Sequence, residues 1–404
     1  MRIGIAADDL TSATDGAVPF VRAANGCEVW LDHRLAPVPG EGVTAVNKDS
    51  RARPRDEAER RAHATALRLA GSDVLYHTVD STLRGHLEAE ILAALEASGR
   101  EVALLAPAFP EAGRTTEDGE QRLAGRPVHE TAFGRDPVHP VARSRIRGLF
   151  PRLEDADVRH LPLAAVRSLG PGGFDPGTAR LVVADATRQA DIDGLVASVA
   201  DPRAVLFCGS PGMARALAAR FGGRGHREEP VPAVGTLLTV VGSTHTASQA
   251  QRRAMGGPGD MIEIVVDAAA ATASPRQAAQ AAVNAAGMAP GRARSILVAA
   301  DAAPRPGADP GRIAECLGLV AAELAGILPV DGLILTGGDT AAAVLGALGV
   351  RSLRLSAEIE PGVPLGVADA PRRMAVITKA GGFGSEDVLR NAAAMLRAME
   401  GTRA

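Results

Sequence analysis

The sequence predicts an α/β protein built from two domains with largely parallel sheets. Short apolar runs of strand length alternate with segments of helical periodicity along the 404-residue chain, which is the pattern of doubly wound sheets. A cluster of Gly, charged and Pro residues at 222–232 interrupts this alternation and is typical of a domain boundary. We therefore predict a first domain over residues 1–225 and a second over residues 233–404.

Composition restricts the class of partner. The chain is 46% hydrophobic but only 2% aromatic, and its net charge of -3 comes from interspersed acids and bases. The charges form no basic stripe of the kind that binds nucleic acid. No apolar run approaches the roughly 20 residues of a membrane span. The widely spaced cysteines and the absence of a leader-like start favour a cytoplasmic protein.

The first domain shows strand-length apolar runs that end in polar residues. The predicted strands occupy residues 3–7, 28–31, 43–46, 73–79, 101–105, 180–184 and 204–207, and the predicted helices 55–70, 86–96, 190–199 and 211–221. The carboxyl ends of the first, third and fourth strands should meet at one edge of a doubly wound sheet. We therefore expect Asp9, Arg51 and residues 80–84 to face one crevice.

The fourth of these strands runs directly into a polar stretch. Its residues are Asp80, Ser81, Thr82, Leu83, Arg84 and Gly85. A guanidinium that binds carboxylates, two hydroxyls and a carboxylate suit a small, polyhydroxylated anionic ligand. An ordinary strand-to-helix turn with Ser or Thr as the helix N-cap accounts for the same residues, and both interpretations stay open.

Adjacent carboxylates follow the first strand, at Asp8 and Asp9. They suit a general base, a metal ligand or a group that binds a substrate hydroxyl. The alternative is that one is an N-cap and the other is solvated.

Two segments of the first domain look irregular. Residues 106–116 and 126–145 are rich in Pro and Gly, and long loops are often functional. The spacing of His129, His139 and His160 fits no metal-ligand pattern, so we predict no protein metal site there.

The second domain repeats the alternation. The predicted strands are residues 237–241, 261–266, 295–298, 332–335 and 374–378, and the predicted helices 247–255, 277–286 and 312–324, with a last helix near the C-terminus. Residues 268–276 fit either a loop or a helix.

Glycine turns follow three strands of the second domain. Their residues are Gly242 and Ser243, then Gly337, Gly338, Asp339 and Thr340, then Gly381 and Gly382. We expect the last two turns to run into helix N-termini, where free N–H groups bind anions; plain tight turns are the alternative. The chain lacks a P-loop motif and a GxGxxG after its first strand, so a dinucleotide enzyme has no support.

Sequence pieces along nearly the whole chain resemble one family, the four-carbon acid sugar kinases, which phosphorylate threonate, erythronate and related acids with ATP. The pieces are residues 7–11 (Ala-Asp-Asp-Leu-Thr) with Ala13 and Asp15, 50–51 (Ser-Arg), 79–85 (Val-Asp-Ser-Thr-Leu-Arg-Gly), 106–110 (Ala-Pro-Ala-Phe-Pro), 113–116 (Gly-Arg-Thr-Thr), 241–243 (Val-Gly-Ser) with Gln249, 336–340 (Thr-Gly-Gly-Asp-Thr), 361–364 (Pro-Gly-Val-Pro) and 378–384 (Thr-Lys-Ala-Gly-Gly-Phe-Gly). The form of residues 80–85 resembles the threonate and erythronate branch rather than the oxo-tetronate branch.

The resemblance implies an acid-sugar domain, then a nucleotide domain, with the active site in a cleft between them. It implies that Asp9, Arg51 and residues 80–85 hold the acid sugar, with Asp8 beside them, and that the three glycine turns hold ATP. Two residues depart from the family pattern: Thr78 stands where Lys is common, and Asp339 where Glu is common.

The resemblance therefore implies an ATP-dependent kinase for a hydroxyl of a four-carbon acid sugar. Arg51 and Arg84 would grip the substrate carboxylate, Asp9 or Asp80 would accept the hydroxyl proton, and Mg²⁺ would bridge the ATP phosphates, held largely by water. The alternatives are a kinase for another aldonate or hydroxy acid and a non-catalytic relative that binds both ligands. The Ala-rich helices are also compatible with a homo-oligomer.

Overall fold

The computed structural model describes residues 1–22, 26–136, 139–223, 229–255, 261–287, 294–301, 307–369 and 372–399. By its internal contacts the chain divides into two compact units, Met1–Arg227 and Glu228–Ala404. Residues 224–228 of the predicted linker lie outside the described residues.

The first unit is built on a parallel sheet. Its strands are β1 (Arg2–Ala7), β2 (Cys27–Trp30), β3 (Gly42–Asn47), β4 (Val74–Thr78), β5 (Val102–Ala106), β6 (Arg114–Glu117), β7 (Glu120–Leu123), β8 (Arg126–Pro127), β9 (Val158–Leu161), β10 (Leu181–Ala184) and β11 (Val205–Gly209). The main sheet has the order β2-β3-β1-β4-β11-β5-β10-β9, and all neighbouring strands within this order are parallel. β3, β1 and β4 are neighbours, as the sequence predicts.

Helices cover this sheet. They are α1 (Leu10–Ala17), α2 (Arg55–Leu69), α3 (Leu87–Ser98), α4 (Leu163–Ser168), α5 (Gln189–Ala197) and α6 (Pro211–Phe221). α2 and α3 pack against each other, and their apolar residues join a core that includes Ala6, Leu75 and Leu206 of the sheet. β3, β4, β5 and β11 are buried along their whole lengths, which is why they read as continuous apolar runs.

The register places three strand ends side by side. Ala7 pairs with Asn47, and Ala6 pairs with His77. Because β1, β3 and β4 run parallel and end level, the residues that follow them meet at one edge of the sheet, called here the carboxyl edge.

The prediction of irregular structure at residues 106–116 and 126–145 is wrong in part. β6, β7 and β8 form a separate antiparallel sheet in the order β6-β7-β8. The β6–β7 turn uses Asp118 and Gly119 at positive φ, and the backbone N–H groups of both donate to Asp185. The sequence signal was hidden because these strands are short and carry no apolar alternation.

The second unit is also an α/β unit. Its elements are β12 (Leu237–Val241), α7 (Thr246–Met255), β13 (Met261–Val266), α8 (Ala268–Ala273), α9 (Pro275–Ala286), β14 (Ser295–Ala300), α10 (Pro310–Ile327), β15 (Gly332–Thr336), α11 (Gly338–Ala347), β16 (Ser352–Glu360), β17 (Val363–Ala368), β18 (Met374–Lys379) and α12 (Val388–Ala398). The strand order is β13-β14-β12-β15-β18-β17-β16. The first five strands are parallel, and β17 and β16 add an antiparallel edge.

The predicted fold class, two α/β domains with largely parallel sheets, is confirmed. The β16–β17 hairpin was not predicted. The undecided segment 268–276 contains α8, whose N-cap Asp267 accepts a hydrogen bond from the Ala270 N–H, and the start of α9. No helix among the described residues is long and apolar enough to cross a membrane.

Candidate functional site

Arg51 joins the ends of three strands at the carboxyl edge of the first unit. Its Nε and one terminal nitrogen donate to the two oxygens of Asp8 at 2.7 and 2.9 Å. Another terminal nitrogen pairs closely with Asp9 and lies 3.9 Å from Asp80 Oδ2. A further hydrogen bond reaches the Ser12 hydroxyl at 2.9 Å. The predicted meeting of Asp9, Arg51 and Asp80 in one place is therefore observed.

Asp9 has the N-cap role of the alternative interpretation and also pairs with Arg51. Its Oδ1 accepts hydrogen bonds from the Ser12 N–H at 2.6 Å and the Thr11 hydroxyl at 3.0 Å, so it is the N-cap of α1. Its other oxygen faces Arg51. Asp8 is not solvated either, because its side chain is buried in the pair with Arg51.

The loop after β4 is organised by the Asp80 carboxylate. Oδ1 accepts from the Thr82 N–H at 2.7 Å and the Thr82 hydroxyl at 2.6 Å. The N-cap of α3 is His86, which makes no side-chain capping bond, so Ser81 and Thr82 are not the helix cap of the alternative interpretation. The Ser81 carbonyl accepts a hydrogen bond from Gln121 at 2.7 Å.

The loop backbone has two residues with positive φ, Leu83 at 65° and Gly85 at 97°. The Leu83 side chain is buried in the core, so only its backbone is available to a ligand. A Cβ on Gly85 would lie 3.6 Å from Asp8 Oδ2. Glycine suits this position because of its φ.

Arg84 is held by two carboxylates. Its Nε and a terminal nitrogen lie 2.8 and 2.6 Å from Asp80 Oδ2, and its other terminal nitrogen lies 3.3 Å from Asp136. Its guanidinium carbon lies 5.1 Å from the centre of the Phe133 ring, within cation–π range. The predicted partner of Arg84, a substrate carboxylate, would have to compete with these contacts.

The ionised carboxylates and guanidinium groups of this cluster stabilise one another's charged forms. Burial opposes ionisation of Asp80, but Arg84, Arg51 and the Thr82 hydrogen bonds hold the pKa of its carboxyl well below the ordinary value. Burial likewise opposes the charge on Arg51, but Asp8, Asp9 and Asp80 raise the pKa of its guanidinium well above the ordinary value. Asp80 is therefore ionised at neutral pH, and a carboxylate with so low a pKa is a weak base.

A buried ion pair lies beside this site. The Lys48 ammonium is 2.5 Å from Glu90 Oε2 and 3.2 Å from His77 Nε2, and the Ser50 hydroxyl donates to the same Glu90 oxygen at 3.1 Å. Burial and then Lys48 lower the pKa of His77 well below its ordinary value. His77 is therefore neutral, and its Nε2 accepts a hydrogen bond from the ammonium.

Thr78 is buried at the end of β4. Its Oγ1 has no hydrogen-bond partner within the part of the chain that the structure describes. A Cβ on Gly16 would lie 3.0 Å from Thr78 Cγ2, so this side chain packs against α1. Thr78 stands where Lys is common in the family and carries no charge. A cation lies close by all the same, because the Lys48 ammonium, from the end of β3, contacts the neighbouring residue His77.

The hairpin of β6 and β7 is a part of the site that the sequence did not reveal. Gln121 of β7 pairs with Thr116 of β6 and hydrogen bonds to the Ser81 carbonyl. Arg114 lies two residues before Thr116 on β6. The Gly-Arg-Thr-Thr piece at residues 113–116 is the available signal, but its Pro- and Gly-rich surroundings predict a loop there.

In the second unit the three glycine turns follow neighbouring parallel strands, β12, β15 and β18. A Cβ on Gly381 would overlap the Ser243 hydroxyl, and a Cβ on Gly337 would lie 3.6 Å from Ser243 Cβ. A Cβ on Gly242 would overlap the Thr340 side chain. The predicted nucleotide residues therefore lie together, and close packing within the protein accounts for two of the glycines.

The turn after β15 leads straight into α11, as predicted. Gly337 is the N-cap, at a φ of 93°, and its N–H donates to the Lys379 carbonyl at 2.9 Å. Gly338, Asp339 and Thr340 form the first helical turn. Free N–H groups and the helix dipole at such a terminus favour an anion.

The turn at Gly381 and Gly382 leads through residues 383–387 into α12, in the order that the sequence predicts, but the glycine pair is not itself the helix N-terminus. α12 begins at Val388, and residues 381–387 are turns and loop. Gly384 at a φ of 81° and the loop after it interrupt the helical conformation. Gly382 lies instead against His245, since a Cβ on it would be 3.3 Å from His245 Nε2.

Polar side chains of α7 fix these turns. Ser248 donates to the Gly381 carbonyl at 2.7 Å, and Gln249 donates to the Ser243 carbonyl at 2.7 Å. The buried Lys379 ammonium lies 3.3 Å from the Ser248 hydroxyl. Lys379 is a further cation beside the predicted nucleotide residues.

The described ranges contain no group of three or more His, Cys, Asp or Glu side chains that could hold a metal ion. His160, from the predicted histidine set, bonds instead to the buried Asp185 at 3.0 Å. The described residues therefore offer no preformed cluster of protein ligands for Mg²⁺.

Comparison with known proteins agrees with this division of the chain. A family model described as a sugar-binding N-terminal domain matches residues 3–217, and one described as a nucleotide-binding C-terminal domain matches residues 238–389. A D-threonate kinase of Bordetella bronchiseptica is 36% identical over 98% of this chain and 97% of its own length. A 3-oxo-tetronate kinase of Methylobacterium radiotolerans is 27% identical over 98% and 99%.

A solved structure of a Haemophilus influenzae protein has the same fold. It superposes with a TM-score of 0.70 at 22% identity, covering 97% of this chain and 100% of the other. The full-length identity and the two matched domains settle the relationship: the chain belongs to the four-carbon acid sugar kinase family.

Proposed function

We propose that the protein is an ATP-dependent kinase that phosphorylates a hydroxyl of a four-carbon acid sugar, with D-threonate as the first substrate to test. The observation that carries the proposal is the cluster in which Arg51 gathers Asp8, Asp9 and Asp80 at the carboxyl edge. It lies within the part of the chain that matches a sugar-binding domain. Carboxylates held in this way are acceptors for several substrate hydroxyls.

The carboxylates would position the reacting hydroxyl. Phosphoryl transfer needs little covalent chemistry from the protein, since positioning and charge neutralisation supply most of the catalysis. Asp80, kept ionised by Arg84 and Arg51, would accept a hydrogen bond from the hydroxyl and take its proton late in transfer. Asp9 is the second candidate for this role, because one of its oxygens is not used in capping α1.

The nucleotide would bind at the glycine turns of the second unit. The N-terminus of α11, with Gly337 to Thr340, would receive phosphate oxygens, and the turns at Ser243 and at Gly381 and Gly382 would complete the site. Lys379 would add positive charge. Mg²⁺ would be held through the ATP phosphates and water rather than by a protein cage.

The proposal also specifies the branch of the family, with threonate rather than 3-oxo-tetronate as the substrate. D-threonate kinases of three bacteria are 30–36% identical to the chain, against 27–30% for four 3-oxo-tetronate kinases. The form of residues 80–85 favours the same branch.

A cytoplasmic location, a homo-oligomeric state and the placement of both ligands in one cleft stay predictions.

The test is ADP release with Mg-ATP against both enantiomers of threonate and erythronate, 3-oxo-tetronate and several longer aldonates. We expect the largest kcat/KM with D-threonate. A preference for a longer aldonate would change the substrate class, and no turnover together with intact ATP binding would support a non-catalytic relative. In the last case Thr78→Lys is the first variant to examine.

A further inference from the structure

The two arginines that the sequence assigns to the substrate carboxylate are already occupied by protein groups. Arg51 donates to both oxygens of Asp8, to Asp9 and to Ser12. Arg84 donates through Nε to Asp80, forms an ion pair with it through a terminal nitrogen, and donates to Asp136 through the other. An arginine has five N–H donors, and four of those of Arg51 are in use, so it has no free pair for a bidentate bond to a substrate carboxylate. A substrate carboxylate that binds Arg84 would have to compete with Asp80 and Asp136 for its guanidinium.

Arg114 is different. Its guanidinium makes no hydrogen bond or ion pair to any residue that the structure describes, and its Nε is buried without a partner. A buried donor without a partner is unfavourable, which makes this guanidinium ready for an anionic ligand.

The fold directs Arg114 towards the loop at residues 80–85. Alternate residues of a strand share one face, so Arg114 lies on the same face of β6 as Thr116. Thr116 pairs with Gln121, which donates to the Ser81 carbonyl at 2.7 Å. The face of the hairpin that carries Arg114 is therefore the face that contacts the loop.

The backbone of Arg114 is fixed in place. Its N–H and C=O form hydrogen bonds of 3.0 and 2.8 Å with Phe109. Burial lowers the pKa of the Arg114 guanidinium, while Asp80 raises it and Arg84 lowers it. Arg114 thus lies near enough to both residues for their charges to act on it, and an arginine stays protonated in proteins.

We propose that Arg114 binds the carboxylate of the acid substrate, while Asp8, Asp9 and Asp80 receive its hydroxyls. This inference rests on the proposed function and revises the roles expected of Arg51 and Arg84, which become positioning residues. It explains how a site with so many carboxylates accepts an anion: the uncommitted guanidinium takes the negative group, and the carboxylates take the hydroxyls.

The test uses Arg114→Met in the full chain, with D-threonate and with D-threitol, the polyol in which a CH₂OH replaces the carboxylate. We expect D-threonate affinity, measured by calorimetry without ATP, and its kcat/KM to fall at least about tenfold. The kcat/KM for D-threitol should change less than about threefold, because that ligand has no carboxylate to lose. Arg114→Lys should recover part of the D-threonate affinity, since it keeps the charge but loses the bidentate geometry.

The matched control is Arg122→Met on the adjacent strand of the same hairpin. Arg122 also has a buried Nε without a partner, but its terminal nitrogens bond to Gly125 and Glu120. This variant should stay within about threefold of wild type. An unchanged KM for ATP in both variants would exclude a general folding defect.

If wild type phosphorylates D-threonate and Arg114→Met binds it equally well, Arg114 does not hold the carboxylate. If wild type neither binds nor phosphorylates any acid of the panel, the proposed function fails and this inference with it. Equal losses in Arg114→Met and Arg122→Met would also overturn it, because disturbance of the hairpin would then explain the result.

Discussion

Arg51 and Asp8 face each other through two hydrogen bonds, with Nε and a terminal nitrogen 2.7 and 2.9 Å from the two carboxylate oxygens. The residues are 43 positions apart, at the ends of β3 and β1. Their backbones are also joined, because the Arg51 N–H donates to the Asp8 carbonyl at 3.2 Å. This pair fixes the relative position of two strand ends and of the carboxylates that follow them.

Replacing Arg51 with Ala should lower the free energy of unfolding by about 3 kcal/mol, because it leaves two buried or half-buried carboxylates without their cation. Urea denaturation measures this effect. Arg60→Ala is the control: its ion pair with Asp56 is exposed on both sides and should contribute less than about 0.5 kcal/mol. Equal effects of the two changes would mean that Arg51 does not organise the edge.

Asp80→Asn should lower kcat with D-threonate by at least about a hundredfold, while the KM for ATP stays within about threefold. Asparagine keeps the shape but loses the charge that orients Arg84 and accepts the proton. Steady-state kinetics with both substrates measures the separation. If the Asn variant keeps wild-type turnover, Asp80 is not the proton acceptor, and Asp9→Asn becomes the variant to examine.

The pH dependence of stability should report Asp80 directly. Its folded-state pKa lies below the ordinary value of about 3.9, so its carboxylate stabilises the folded protein above that pH. That contribution is lost as the pH falls from about 4 towards the lower folded-state pKa. The difference in unfolding free energy between wild type and Asp80→Asn should therefore be constant above about pH 5 and shrink below about pH 4.

Denaturation of both proteins at pH 7, 5, 4 and 3 provides this comparison. Asp73 and Asp191 also have lowered pKa values, but they are present in both proteins and cancel in the difference. Asp155→Asn is the control, since its side chain is 96% exposed and its variant should follow wild type. A difference that grows on acidification would contradict the assignment.

Lys48→Met should destabilise the protein by about 3 kcal/mol, because Glu90 would remain buried without its cation. The double change Lys48→Met with Glu90→Leu should cost less than the sum of the two single changes. A double-mutant cycle in urea measures the coupling between the two residues. Strict additivity would show that the 2.5 Å contact contributes no specific stability.

Gly337→Ala should raise the KM for ATP severalfold and destabilise the second unit by about 1–2 kcal/mol, because an L-residue is strained at a φ of 93°. Gly346→Ala in the same helix is the matched control. A Cβ there would meet no atom within 4 Å, so it should be neutral or stabilising by up to about 1 kcal/mol. An unchanged KM for ATP in Gly337→Ala would argue against a nucleotide at the N-terminus of α11.

Most strands and helices of the two parallel sheets were readable from the sequence, and so was the convergence of Asp9, Arg51 and Asp80. Both follow from general rules: apolar periodicity marks the elements, and parallel strands of one sheet end on the same side. The hairpin of β6 and β7 was missed because its short strands are polar and are held by Gln121 and Asp185 rather than by an apolar face. The last helix follows the last glycine turn as predicted, but residues 383–387, which include Gly384 at positive φ, separate the glycine pair from the helix N-terminus.

The sequence by itself determined the fold class, the family and the groups that gather at the edge of the first sheet, because these depend on local periodicity and on residue types in a fixed order. Only the tertiary structure distinguished the arginines. Arg51 meets carboxylates that follow β1 and β4, and Arg84 meets Asp80 of its own loop and the distant Asp136, whereas Arg114 has no such partner among the described residues. Whether a guanidinium is satisfied depends on neighbours distant in the chain, and strand register and loop geometry place those neighbours.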